Sequence, residues 1–335
     1  MDNREVIIST RLRLARNLKN YPFPCRMTPE QAQQVAKKVK EAVLDGGSVL
    51  ANRFKYIDMA ELTQEQAVSL VEKHLISPEF ISEAPGRGLL LLDDETVSIM
   101  INEEDHIRLQ VIMDGLDLNK AYDIANKLDT MLDETLSLAF NDKLGYLTQC
   151  PTNLGTGMRA SVMMHLPALQ EAHAMGRIAE NLSKLGLTLR GTYGEGSEPK
   201  CAMYQLSNQV TLGISEQTAI DNLKNIALQL ASQEKSSRES LVQNIKTRDA
   251  ISRSFGILRY ARLISNDESM RLLSNLRLGA AEGVIKKIPL EEIDKLIRET
   301  QPATLMSNAG KRLTPAERDS ARAEMISKAL SKYAV

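Results

Sequence analysis

Between Cys150 and Val162 the chain reads Cys-Pro-Thr-Asn-Leu-Gly-Thr-Gly-Met-Arg-Ala-Ser-Val, so a thiol, two glycines and an arginine share one short stretch. Pro151 fixes a backbone angle and removes a donor, while Gly155 and Gly157 let backbone N–H groups approach a ligand without a Cβ in the way. Such a loop suits an anion. Arg159 opens the apolar alternation Arg-Ala-Ser-Val-Met-Met-His-Leu, which places its charge at a strand end beside the loop. A plain glycine-rich connector with a buried cysteine would look the same locally. Four further arginines, Arg11, Arg13, Arg108 and Arg190, and two acids, Glu104 and Glu195, stand in comparable strand-and-loop contexts. Together they suit phosphoryl transfer, because arginines and amides can hold a polyphosphate and stabilise a loose in-line transition state with Mg²⁺ bridging its oxygens. No GxxxxGK[ST], HRD or DFG signature occurs, which excludes the ordinary NTPase and protein-kinase machinery.

The acids and the thiol point to the acceptor. A guanidinium is matched bidentately by carboxylates, whereas a hydroxyl acceptor needs only one base. A guanidinium holds its proton with a pKa above about 12, so a site that phosphorylates it must orient the nitrogen and receive that proton. A thiol among arginines is a further anionic partner for such a group.

These residues need elements to hold them. In Val6 to Arg16 the alternation puts Arg11 and Arg13 on one strand face and Leu12 and Leu14 on the other, a pattern that a charged edge strand would share. Thr28-Pro29-Glu30-Gln31 and Thr63-Gln64-Glu65-Gln66 are capping boxes; the first helix should stop near Asp45-Gly46-Gly47, and the second should carry His74, which local context alone makes structural or superficial. Strands are predicted at Leu89 to Leu92, Val97 to Ile101 and Ile107 to Met113. The run Asn102-Glu103-Glu104-Asp105-His106-Ile107-Arg108 between the last two is either an exposed turn or a set of acids that meets cations, ligand or water. Helices follow at about Asn119 to Phe140 and Leu169 to Leu185. Gly191, Gly194 and Gly196 then surround Glu195, a loop that would deliver one carboxylate; Cys201 to Leu206 reads as a strand and Glu216 onward as a long helix. The polar run Ser232 to Arg238 marks a domain boundary, giving 1–235 and 236–335, and everything after it reads helical, with a third capping box at Thr314-Pro315-Ala316-Glu317.

Composition bounds the rest. The 335 residues carry 42 Lys and Arg against 43 Asp and Glu, net charge −1, so no global field favours nucleic acid or membrane. Three cysteines without CxxC spacing, and no secretory or membrane-spanning stretch, point to a reducing, cytoplasmic compartment. No metal-ligand spacing or internal repeat occurs.

Ser9 to Arg13, Asn102 to Arg108, Cys150 to Val162 and Arg190 to Glu195 each resemble a signature of the phosphagen (guanidino) kinases, in family order, and most closely those of the bacterial protein arginine kinases of the heat-shock system. The resemblance implies an α+β catalytic fold, an antiparallel sheet flanked by helices, followed here by an all-helical C-terminal domain. It implies ATP and Mg²⁺, nucleotide contacts from Ser9, Arg11, Arg13, His74, Arg108, Arg159, Arg190 and Glu195, guanidinium binding by Glu104 and Glu195 with Glu104 the better base, and Cys150 as the reactive cysteine. Metabolite-directed members commonly carry histidine where this chain has Met163, and they carry a small helical domain before the Ser-Thr-Arg segment. With the signature starting at Ser9, the acceptor pocket should admit an arginine on a polypeptide. Arg318, Asp319 and Arg322 resemble the Arg-Asp-x-x-Arg-Ala motif that senses phosphoarginine away from the catalytic site; locally they also fit a solvated helix face. The expected activity is thus protein arginine phosphorylation. A kinase for a free guanidino metabolite and a nucleotide-binding adaptor for a protease are the alternatives. The expected setting is a homodimer in the stress response, marking proteins for proteolysis, with a heat-shock repressor among its substrates and an activator and an ATP-dependent unfoldase-protease as partners, without direct nucleic-acid or membrane binding.

Overall fold

Alternation in the first strand decides the two faces of the sheet. The structure is a computed structural model, and residues 3–46, 50–81, 84–191 and 200–333 are described. The strands are β1 (Ile7–Arg16), β2 (Phe54–Asp58), β3 (Gly88–Leu92), β4 (Val97–Ile101), β5 (Ile107–Asp114), β6 (Phe140–Asn141), β7 (Gly145–Tyr146), β8 (Met158–His165), β9 (Leu187–Gly191) and β10 (Met203–Asn208). All but the β6–β7 hairpin join one antiparallel sheet of order β2-β3-β4-β5-β1-β8-β10-β9, with β1 in its interior between β5 and β8. Leu12 and Leu14 lie on the same face as Leu109, Val111, Ala160, Val162 and Leu206, and all belong to the main core.

Helices α1 (Pro29–Leu44), α3 (Leu118–Leu136) and α6 (Glu216–Gln243) cover that face. In α1 the buried residues Ala32, Val35, Ala36, Val39 and Val43 recur at helical spacing, and Thr28 and Gln31 form the expected capping box. The box at Thr63 opens α2 (Gln64–Glu72), which ends sooner than expected: Lys73 caps it and His74 turns the chain with φ 61°. The helix anticipated from Leu169 to Leu185 is two, α4 (Pro167–Glu171) and α5 (Met175–Lys184), broken where His173 takes φ 52°. Cys201, expected in a strand, sits in a turn at φ 61°, and β10 starts after it.

The C-terminal part consists of α7 (Ile245–Tyr260), α8 (Asn266–Ala281), α9 (Leu290–Glu299), α10 (Pro302–Ala309) and α11 (Pro315–Leu330) around their own apolar core. The boundary read at Ser232 to Arg238 falls inside the continuous α6. Those polar residues do not loop out, because Glu234 and Arg238, both fully buried, pair at 2.7 Å one turn apart. Glu234 also accepts the N–H groups of Ala168 and Leu169 at the start of α4, and Arg238 donates to the carbonyls of Glu5 and His165. Arg277 of α8 adds bonds to the carbonyls of Arg4 and Glu5. The start of the chain is therefore held by the C-terminal helices. No helix among the described residues is long and apolar enough to cross a membrane.

Candidate active site

The face of the sheet opposite the core carries the arginines. Arg13 lies across from Arg159 on β8 and from Gln110 on β5, Arg11 lies across from Ser161, and Arg108 across from Ala15, so the four cations project from one face of three adjacent strands. Directly opposed side chains start only about 5 Å apart, which makes the crowding costly. Arg13 shows it most: burial, then the charges of Arg11, Arg108 and Arg159, hold its proton affinity well below the ordinary guanidinium value, and its Nε is buried without a hydrogen-bond partner. Arg11 is lowered to about 10 by burial and then by Arg108, while its Nε donates to Gln110 at 2.6 Å. Arg159 is also lowered, by burial and then by Arg190. Arg190, facing solvent on β9, is thus electrostatically part of the group. A polyanion would relieve this repulsion, and the row is shaped for one.

The acid run between β4 and β5 is a buried turn, not an exposed one. Asn102, at φ 58°, donates from its side chain to the carbonyls of Ala32 and Gly86, and its backbone N–H bonds His106. His106 is fully buried, accepts the Leu18 N–H at Nδ1, and reaches the Pro22 carbonyl through Nε2; burial lowers its pKa to about 4, so it holds the turn as a neutral ring. Glu103 points inward, accepting from Arg108 at 2.5 Å and from the Ser77 hydroxyl at 2.6 Å. Burial alone would raise its pKa; Arg108, Ser77 and the Glu104 N–H outweigh that and keep it below the usual carboxylate range. Asp105 is buried too and accepts from Asn17 and the Gln149 N–H, which fastens the turn to the residue before Cys150.

Glu104 is the least enclosed of the three acids, half-buried where Glu103 and Asp105 are buried. Burial, followed by Asp105, raises its pKa. It is within 3.5 Å of the Asn153 amide and interacts with Cys150. A partly desolvated carboxylate with raised proton affinity beside a row of cations is suited to take a proton.

The Cys150 loop meets this acid from the other side. The Cys150 sulfur lies 3.0 Å from the Thr152 hydroxyl, and Thr152 and Asn153 accept from Arg159. The glycines serve a different purpose from the one anticipated. A Cβ at Gly155 (φ 108°) would sit 2.2 Å from the Thr211 carbonyl oxygen, and one at Gly157 (φ 60°) 2.7 Å from the Ala15 carbonyl oxygen. They let the loop lie against the protein's own backbone. The N–H groups of Asn153, Leu154, Thr156 and Met158 are consumed inside the fold, so side chains and not these amides must grip the anion. Cys150→Ser should therefore reduce turnover about 100-fold or more at saturating nucleotide through lost contact with the reacting groups. Cys25→Ser and Cys201→Ser, changed in an exposed thiol and in a buried one bonded to the Met270 carbonyl, should stay within about threefold; steady-state rates of the three variants check this.

Two cavities flank the arginine row. One of about 640 Å³ is lined by Glu103, Glu104 and Arg108 together with Cys25, Arg87 and Gln149. The other, about 500 Å³, is lined by Ser9, Arg11, His74, Met163, Gln205 and Arg298. His74 is held by its backbone, whose carbonyl accepts from Gln110, and its pKa is lowered to about 4 by burial, then by Arg11 and Arg298. The structure thus brings Ser9, Arg11, Arg13, His74, Glu104, Arg108, Cys150, Arg159 and Arg190 to one side of the sheet. Glu195 lies outside the described residues. Glu103, Asp105, Gln110, Thr152 and Asn153 position these groups and were not singled out from sequence, although the acid run contained two of them.

The C-terminal cluster divides. Its capping box forms as expected, and Arg318 and Asp319 are half-buried at the surface of α11. Arg322, expected beside Arg318 as a second phosphate grip, turns inward: 1% exposed, it donates to the carbonyls of Thr300 and Ile264 and to Asp319 at 2.7 Å. Two buried carbonyls and the half-buried Asp319 outcompete the surface position for this guanidinium.

Residues 34–237 match the model of the ATP:guanido phosphotransferase C-terminal catalytic domain, and residues 244–334 that of the protein-arginine kinase McsB C-terminal domain. Among curated relatives, a protein-arginine kinase of Caldanaerobacter subterraneus is 44% identical over 332 residues, covering 98% of both chains. One of Halothermothrix orenii is 47% identical over 325 residues, 96% of this chain and 92% of that one. Among solved structures, the duplicated taurocyamine kinase of Schistosoma mansoni superposes with a TM-score of 0.62 at 30% identity, over 70% of this chain and 34% of that one. A lombricine kinase does so with 0.63 at 26% identity, over 70% of this chain and 68% of the other.

Proposed function

Because the chain belongs to the ATP:guanido phosphotransferase family and carries the C-terminal domain of its protein-arginine kinases, we infer that it transfers the γ-phosphoryl group of ATP to arginine side chains of proteins. The observation that carries the site is Glu104, a half-buried carboxylate of raised pKa, standing beside a row of mutually crowded arginines. Arg11, Arg13, Arg108 and Arg159 hold the triphosphate and take up the charge that spreads over the equatorial oxygens. The acceptor arginine enters from the Glu104 cavity. As its terminal nitrogen bonds to the γ-phosphorus, the bond from phosphorus to the leaving oxygen breaks, ADP departs, and the guanidinium proton passes to a Glu104 oxygen. Cys150 and Glu195 serve as further partners that orient the guanidinium.

Among the described residues no cluster of His, Cys, Asp and Glu could hold a metal ion. This suits Mg²⁺ arriving as part of the substrate, MgATP, on its phosphate oxygens. Three free cysteines fit a cytoplasmic location. On resemblance alone, we place the enzyme in the stress response as a homodimer with an activator protein, marking substrates such as a heat-shock repressor for an ATP-dependent unfoldase-protease. Mass spectrometry of a protein mixture incubated with MgATP, under conditions that spare acid-labile P–N bonds, tests the activity. Phosphoarginine on proteins is the expected result; phosphorylation of free guanidino compounds only, or of nothing, would favour the metabolite kinase or the adaptor.

The C-terminal cluster is the sensor of the product. Arg318 offers the cation and Asp319, held by Arg322, the guanidinium acceptor, near the N-terminus of α11 where the helix dipole favours anions. Added phosphoarginine should raise the rate of the wild type, by a coupling of about 1–3 kcal/mol, and Asp319→Ala should abolish the response with MgATP binding unchanged. Initial-rate titrations of both proteins compare them, and equal responses would reduce the cluster to a charged helix face.

A further inference from the structure

Arg298 occupies the last turn of α9, in the C-terminal part, yet it lines the cavity that contains Ser9, Arg11, His74 and Met163. It is exposed and makes no hydrogen bond or ion pair among the described residues. A cation left unpaired on the wall of a cavity is available to a ligand. Its position is enforced from two sides. Glu72, at the end of α2 just before His74, accepts the N–H groups of Ala303 and Thr304 at 2.9 and 2.7 Å, capping α10 and locking α9–α10 onto the His74 segment. Beneath the cavity, Ile8 and Met163 from the sheet pack with Met203, Met270 and Ile297 across the boundary between the two parts.

The cavity therefore changes character along its length. At the Arg11 end it is cationic and continues into the phosphate row; at the far end it has a methionine and isoleucine floor, a neutral histidine and one unpaired guanidinium. From Arg13 to Ser9 the extended strand covers about 13 Å, roughly what separates a γ-phosphate from the sugar and base of a nucleoside triphosphate. A flat, apolar, π-rich group at the far end matches a floor of polarisable side chains and a planar cation above it.

We propose that Arg298, supplied by the C-terminal domain, is a nucleotide-binding residue that stacks its guanidinium on the base of ATP over the floor formed by Met163 and its neighbours. The nucleotide site is then completed by a residue outside the catalytic sheet, and nucleotide affinity depends on how α9 is seated. This inference rests on the ATP-site reading above. Calorimetry with MgADP and with inorganic tripolyphosphate, on the full chain, tests both. Arg298→Ala should weaken MgADP binding about five- to tenfold and leave tripolyphosphate affinity unchanged, and Arg298→Lys should recover little because an ammonium does not stack as a plane. Unchanged melting temperatures show that both variants fold. Equal loss for both ligands would make Arg298 a phosphate counter-charge, and no loss for either would remove it from the site; each result overturns the proposal. Arg11→Ala should lose both ligands. If it loses them while Arg298→Ala loses neither, only this inference fails, whereas retention of both by Arg11→Ala defeats the ATP-site reading itself.

Discussion

Glu104→Gln should lower kcat by about 10²- to 10⁴-fold while MgADP affinity changes little, the signature of a lost general base. The amide keeps the shape and can still meet Asn153, so packing is preserved and the proton acceptor alone is removed. The other two acids of the turn cannot take over easily, since Glu103 is committed to Arg108 and Ser77, and Asp105 to Asn17 and Gln149. The pH profile gives a second readout. The pKa of Glu104 is raised, so the base form is present above it, and the wild-type rate should fall as pH drops through a value higher than that of an ordinary carboxylate. In the variant that acid limb should vanish. Retention of turnover within tenfold of wild type would move the base to another group.

Arg13→Met should act in opposite directions on stability and activity. Arg13 faces Arg159 directly, has Arg11 and Arg108 as further cationic neighbours, and leaves its Nε buried and unpaired. A side chain of similar length without charge removes an unsatisfied group whose burial costs about 1–3 kcal/mol, so the apoprotein should melt a few degrees higher. The same change deletes a cation from the transition-state grip and should reduce kcat/KM about 10²- to 10³-fold. Nucleotide should then stabilise the variant less than the wild type, because ligand binding no longer relieves the crowding. Thermal unfolding with and without MgADP, beside steady-state kinetics, checks all three; a variant that melts lower would show that the arginine row is held by contacts stronger than its repulsion.

What could be read in the sequence was whatever depends on local pattern. The alternation in β1 placed Arg11 and Arg13 opposite Leu12 and Leu14, and the Thr28, Thr63 and Thr314 boxes all cap helices. What could not be read depends on partners far along the chain. Nothing in the local pattern says which of Glu103 and Glu104 the Arg108 of the same run will take; their different fates are set with the help of Ser77 on one side and Cys150 on the other. Gly155 and Gly157 are required by Thr211 and Ala15, far apart in sequence from the loop. The polar run Ser232 to Arg238, read as a domain boundary, lies within the continuous α6, and its buried ion pair is stabilised only once α4 and the first residues of the chain are in place. The inward turn of Arg322 was equally illegible, since its acceptors lie at Ile264 and Thr300.

The interior position of β1 bears on the order in which a ribosome-bound chain can assemble. Strand β1 is made before both of its partners and waits for β5 on one side and for β8 on the other, so the sheet cannot close around it until residue 165 is available. The carbonyls of Arg4 and Glu5 wait longer still, for Arg238 and Arg277. A nascent chain interrupted between β5 and β8 would leave β1 with one edge unpaired, a template for pairing with other chains. The edge is covered when β8 pairs, whereas the residues just before β1 are fixed only when α6 and α8 bring Arg238 and Arg277 to them.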